Sequence, residues 1–181
     1  MVRQLYCVLL IIFALACLAS VPVQAAPVAF DWLEAPADEL ALEDVRALPT
    51  GDWQRSGSSE VFNRGFSDGS FWLRVEIPPE PANRVMEIGY PLLDEVSVHW
   101  VLNGELIQTH HTGDTLPFGS RPIHHRNFVF LVPSNTEPVT AFVRVKTQGS
   151  VQIPVEVTPS AQFLANEQFS YGWQTVFLGI I

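Results

Sequence analysis

Three runs of eight residues limit what this chain can fold into. Ser70–Ile77, Glu95–Leu102 and Val139–Lys146 each alternate two sets of side chains with a period of two. Successive residues of a strand point to opposite faces of a sheet. Phe71, Leu73, Val75 and Ile77 therefore face one way, and Trp72, Arg74 and Glu76 the other. Val139, Ala141, Val143 and Val145 separate in the same manner from Thr140, Phe142, Arg144 and Lys146. Shorter runs at Val28–Leu33, Val61–Asn63, Val85–Tyr90, Glu105–Thr109, Asn127–Val132 and Val151–Val157 read as further strands. Asn103-Gly104 is a hairpin signal, because a type I′ turn needs positive φ at both central residues. Leu40, Leu42, Val45 and Leu48 approach helical spacing, before Pro49-Thr50-Gly51 ends the segment. About nine short strands separated by turn residues predict an all-β chain folded as a β-sandwich. The alternation leaves open whether the strand order is that of a jelly roll or of an immunoglobulin-like fold.

The two ends read differently from the middle. Arg3, the apolar run Leu5–Ala19, Pro22 and the small residues Val23-Gln24-Ala25 have the order of an export signal. Residues 1–25 are predicted to be removed, with cleavage after Ala25. Cys7 and Cys17 both lie in that segment, so the mature chain has no thiol chemistry and needs no disulfide. Residues 26–158 form the sandwich domain. From 159 to 181, Thr158-Pro159 reads as a helix start, with Phe163, Leu164, Phe169 and Trp173 on an amphipathic helix. Tyr171, Trp173 and the apolar Val176–Ile181 read as the start of a transmembrane span. The alternative is a buried terminal helix. The balance of 10 Lys+Arg against 19 Asp+Glu argues against nucleic acid, which requires a basic footprint.

Gly113–Phe130, GDTLPFGSRPIHHRNFVF, reads as one long loop feeding one strand. Gly113-Asp114 and Gly119-Ser120 supply turns, and Pro117 and Pro122 each fix φ. Arg121, His124, His125 and Arg126 are presented on that stiffened frame. Asp114 either pairs with Arg121 through a charged fork or bonds its own turn.

Chemistry of the catalytic kind finds little support. There is no nucleophile elbow and no phosphate loop. The carboxylate pairs Asp94-Glu95 and Glu39 with Glu43 fall in turn or helix-surface contexts. His110-His111 and His124-His125 are adjacent pairs, which point to opposite faces of a strand and chelate poorly. No catalytic residue, metal or cofactor is assigned. Trp72-x-Arg74 and Phe142-x-Arg144 each set an aromatic and an arginine on one side of a strand. A ring face beside a planar donor fork suits a sugar ring or a carboxylate. The plainer reading is an arginine stacked on an aromatic as surface packing, and a further alternative puts Trp72 in the core, since period two does not say which sheet face is buried. Candidate ligand contacts are thus Trp72, Arg74, Arg121, His124, Phe142 and Arg144. Gly113, Asp114 and Pro117 serve as loop-forming residues.

Gly113, Asp114, Pro117, Phe118, Arg121 and Pro122 sit in the order G-D-x-x-P-F-x-x-R-P before a strand. Asn63-Arg64-Gly65-Phe66-Ser67 leading into Phe71–Val75, and Ala141–Val145, accompany it. Over roughly residues 28 to 181 the chain resembles the type 2 periplasmic sensor domain of bacterial seven-transmembrane receptors with diverse intracellular signalling modules. Arg64 departs from the family pattern, which has an apolar residue there. The resemblance implies a jelly roll like those of carbohydrate-binding modules. It also implies a periplasmic domain anchored in the bacterial inner membrane, sensing a small-molecule or carbohydrate ligand. Signals would pass through following membrane helices to a diguanylate cyclase or histidine kinase. A homodimer is compatible with it. The rival is a secreted or anchored carbohydrate-binding module without a signalling role.

Overall fold

A computed structural model describes residues 28–35, 40–57, 62–67, 69–134 and 136–168. The export signal and the expected membrane segment from residue 169 onward lie outside the described residues. Among the described residues, no helix is long and apolar enough to cross a membrane. The chain is mostly β, with antiparallel sheets and a short C-terminal helix.

The strands are β1 (Asp31–Ala35), β2 (Gln54–Arg55), β3 (Phe62–Phe66), β4 (Ser70–Ile77), β5 (Arg84–Ile88) and β6 (Glu95–Leu102). They continue with β7 (Glu105–Thr112), β8 (Phe128–Leu131), β9 (Val139–Lys146), β10 (Ser150–Ile153) and β11 (Val155–Pro159). Helix α1 is Leu42–Ala47, and residues 160–168 form α2. One sheet has six strands in the order β2-β1-β4-β9-β6-β7. Facing it are a three-stranded sheet, β11-β5-β8, and a two-stranded one, β10-β3.

The three long alternating runs became β4, β6 and β9, neighbours at the centre of the large sheet. Their shared apolar face, with Leu73, Val75, Val98, Trp100 and Val143 at 0% exposure, meets Met86, Ile88, Phe128, Phe130 and Ile153 from the opposing strands. Burying each such side chain contributes about 1.5–3 kcal/mol. The hairpin turn forms where expected: Asn103 has φ 50° and Gly104 φ 79°. Arg64 takes up the work of an apolar residue, its guanidinium lying 3.9 Å from the centroid of the Trp32 ring. A planar, weakly hydrated cation stacks on an aromatic face as a hydrocarbon would.

Two boundaries differ from the sequence reading. The expected single strand Val151–Val157 is split at Pro154, which has no N–H to donate. Before it the chain pairs with β3, and after it with β5. Thr158 is not a helix cap: it is buried in β11 opposite Val85, and the helix begins at residue 160. Ser160 instead anchors that start, its N–H donating to the Asn83 carbonyl at 2.8 Å and its hydroxyl at 3.1 Å.

The long loop leaves β7 against the chain before β6. Gly113 is packed so closely that a Cβ there would lie 1.9 Å from the Asp94 carbonyl oxygen. The obstacle is backbone, which cannot rotate aside. Gly113→Ala is expected to cost about 2–3 kcal/mol and lower the melting temperature by roughly 5–10 °C. Gly119→Ala, with nothing within 4 Å, serves as the control and should melt with the wild type. Calorimetric melting of both variants checks this; an unchanged Gly113→Ala melt would refute the close approach.

Candidate functional site

The face of the large sheet turned away from the main core carries the aromatic–arginine pairs. Register sets Trp72 opposite Arg144 and Arg74 opposite Phe142. Ser97 lies on the far side of Arg144 and His99 on the far side of Phe142. On the edge strand, His111 is opposite Ser97 and Thr109 opposite His99. Four of the six expected contacts, Trp72, Arg74, Phe142 and Arg144, are therefore brought together.

They do not share one environment. Helix α1 and Trp53 cover part of the face, making a second apolar cluster from Leu33, Ala35, Val45, Trp53, Trp72, Val101 and Phe142. The helix has acidic residues in its first turn and Arg46 in its last, and Asp44 accepts the Ala41 N–H at 2.9 Å. Arg46 also donates to the Gly104 carbonyl in the β6–β7 turn, tying the strap to the far side of the sheet. Trp72 is 2% exposed and Phe142 7% exposed. Their rings are packing surfaces under α1, a correction to the expectation of an open aromatic face. Arg74 is likewise engaged, 2.7 Å from Asp31 and with its guanidinium 4.8 Å from the Trp53 ring centroid. Among the described residues, the buried Trp53 Nε1, Trp72 Nε1 and Arg74 Nε have no hydrogen-bond acceptor. Buried donors without protein acceptors are costly.

Beyond the strap the face becomes polar. Arg144, Ser97 and His99 are half-buried, while His111 and Thr109 are exposed. His99 stacks on Trp72 with centroids 5.9 Å apart, and its Nδ1 is 3.1 Å from the Thr109 hydroxyl. Ser97 Oγ is 2.9 Å from His111 Nδ1. Burial first, then the positive charge of Arg144 and of His111, hold the His99 pKa below the usual histidine range. Two residues further along β9 and β6, on the same face, Lys146 and Glu95 reach a cleft of about 370 Å³. Thr115, Asp94, Thr147 and Gln148 complete it. Asp94 is committed to structure there, accepting the Gln148 N–H at 2.7 Å through its carboxylate and the Thr115 hydroxyl at 2.7 Å through its carbonyl.

Arg121 and His124 belong to the loop. Arg121 is 8% exposed, stacks on Phe118 and Phe128, and donates to the carbonyls of His125 (2.7 Å) and Arg126. The expected ion pair with Asp114 is absent among the described residues, and Asp114 is exposed with its N–H on the Leu93 carbonyl at 2.8 Å. Nη1 of Arg121 serves both main-chain oxygens, so the guanidinium is held by the loop backbone and not by Asp114. His124 is exposed, its ring 5.5 Å from that of Phe118. Pro117 precedes a short 3-10 turn, Phe118–Ser120.

Sequence reasoning missed Ser97, His99, His111, Thr115 and Lys146 as members of one face. The alternation of β6 did put Ser97 and His99 opposite Val96, Val98 and Trp100. What it lacked was the knowledge that β6 pairs with β9, and that the strap reaches Leu33, Trp72, Val101 and Phe142 but leaves Ser97 and Arg144 half-buried beside it.

The described residues thus form a mostly β domain with a polar strip on one sheet face. The chain belongs to the family described as 7TMR-DISM extracellular 2, which it matches over residues 28–158. It carries an extracellular, or periplasmic, sensor domain of a membrane receptor of that kind, a sensing rather than a catalytic region. No curated protein matches the chain by sequence.

A lowered His99 pKa makes the folded state bind fewer protons than the unfolded one near neutrality. Its stabilising contribution is complete above the unfolded value of about 6.5 and is lost as pH falls through that value toward the folded one. His110, lowered by burial, has the same sign. His99→Gln is expected to reduce the fall in melting temperature between about pH 7.5 and pH 5.5. Parallel melting curves for variant and wild type across that window would refute the assignment.

Proposed function

We propose that this domain senses a carbohydrate-like or small acidic ligand on the polar strip of β9, β6 and β7 and in the adjoining cleft. The fold on this reading is a jelly roll of the carbohydrate-binding-module type. Consistent with it, most consecutive strands alternate between the large sheet and the facing sheets. Occupancy is passed through membrane helices after α2 to a cytoplasmic output, a diguanylate cyclase or histidine kinase in the resembling receptors. The domain sits on the periplasmic side of the inner membrane, with a homodimer as the signalling arrangement.

The observation that supports the ligand class is the gathering of basic, hydroxyl and imidazole side chains on one sheet face. Arg144, Lys146, Ser97, His99 and His111 line the strip, with Glu95 across the ladder from Lys146. Hydroxyls and carboxylates of a sugar acid provide the matching acceptors. The cleft falls within the size range of small-ligand sites.

Trp72→Ala does not test this, because removing a buried indole opens a cavity worth about 3–5 kcal/mol. Arg144→Ala and Lys146→Ala are the informative changes. Calorimetric titration with paired neutral and uronic-acid oligosaccharides is expected to show binding to wild type. Arg144→Ala should lose roughly tenfold or more in affinity, the size of one charged hydrogen bond. Undiminished binding to folded Arg144→Ala and Lys146→Ala would move the ligand off this face.

A further inference from the structure

We propose that residues 113–127 act as a stiff strut that couples the cleft to the seating of α2. The trigger rests on the ligand reading above, whereas the strut is argued from contacts alone.

One end of the strut is part of the cleft. Gly113 is wedged against Asp94, Asp114 bonds Leu93, and Thr115 lines the cleft while bonding the Asp94 carbonyl. A ligand there would meet the first turn of the loop directly. The middle is braced rather than slack. Thr112 and Ser120 hydroxyls lie 3.0 Å apart, and the Ser120 N–H donates to the Pro117 carbonyl at 2.8 Å. Arg121 then holds the carbonyls of both His125 and Arg126 while stacked on core Phe128. Those two residues cannot shift without moving Arg121.

The far end grips α2. His125 is 8% exposed, and its Nδ1 accepts the Asn127 N–H at 3.1 Å. That bond leaves the ring proton on Nε2, which faces Glu167. His125 Nε2 is 3.0 Å from Glu167 Oε2, but off the axis of a hydrogen bond. The aligned contact comes from Arg126, at 3.3 Å from Glu167 Oε1. Edge-on to the imidazole, at 5.3 Å, is Phe163, which α2 inserts between Val85, Val129 and Ile123. The start of α2 is fixed separately to Asn83. The helix thus pivots at Ser160, and its angle is set by whether the loop holds Glu167 and Phe163. Seated and lifted positions of α2 are the two states that a ligand at the other end would bias.

The test is hydrogen exchange on the full chain without ligand, so its failure is separate from failure of the binding site. Glu167→Gln is expected to speed exchange in residues 161–168 by about tenfold while β4 and β9 keep wild-type protection. Thr115→Val, at the opposite end, should speed the same amides by at least about threefold. If Glu167→Gln also loosens β4 and β9, Arg126→Ala, at an exposed position, replaces it with the same expectation. Wild-type exchange in residues 161–168 for either end's variant overturns the coupling.

Discussion

The pairing of β4 with β9 is the constraint on which the rest depends. Eight residue pairs run without a break from Ser70 opposite Lys146 to Ile77 opposite Val139. β1 adds to one side of this ribbon and β6 to the other, so the ribbon is the middle of the large sheet. Its inner face is closed by the facing strands, and α1 with Trp53 packs over the outer one. A ladder shielded from water on both faces keeps its hydrogen bonds and holds its register, because a one-residue slip would exchange the two faces. Toward β6 and β7 the outer cover runs out, and polar side chains take over from apolar ones. The candidate site is therefore a consequence of where burial stops.

The loop after β7 shows how a segment without regular structure stays ordered. Its backbone groups are answered one by one: Asp114 by Leu93, Thr115 by Asp94, Ser120 by Pro117 and Arg121 by Phe118. A single buried cation then answers two carbonyls that no strand reaches. Charged hydrogen bonds of this type are worth more than neutral ones, and a buried guanidinium stripped of its acceptors would be strongly unfavourable. Arg121 belongs to the loop's architecture, and for this reason its ligand role gives way to a structural one.

Much of this was legible before any coordinates. Alternation placed β4, β6 and β9 to the residue, and Asn103-Gly104 marked a hairpin turn whose geometry demands positive φ. The break at Pro154 was also written in the sequence, since a proline cannot donate to a ladder, but the apolar run on both sides masked it. Partnership was not legible. Nothing local says that Ser97 lies beside Arg144, or that Leu42–Ala47 folds back over Trp72, because those neighbours are separated by tens of residues. The ambiguity of the Trp72 face was of that kind: period two assigns a side chain to a face, and only the topology says which faces are covered.

Arg74 and Arg144 show how decisive that difference is. Both follow an aromatic by two positions, on the same sheet face, and a sequence pattern treats them alike. Arg74 stands next to β1, where Asp31 lies directly across the ladder and its carboxylate fills the fork. The Trp53 ring then closes over the guanidinium. Its charge is answered within the fold. Arg144 has Trp72 and Ser97 as its cross-strand neighbours. The field of Arg144 is felt at His99, where it adds to burial in lowering the imidazole pKa. The two arginines, a single step apart across the sheet, thus differ in what the topology sets beside them: a carboxylate and an indole face for Arg74, an indole and a hydroxyl for Arg144.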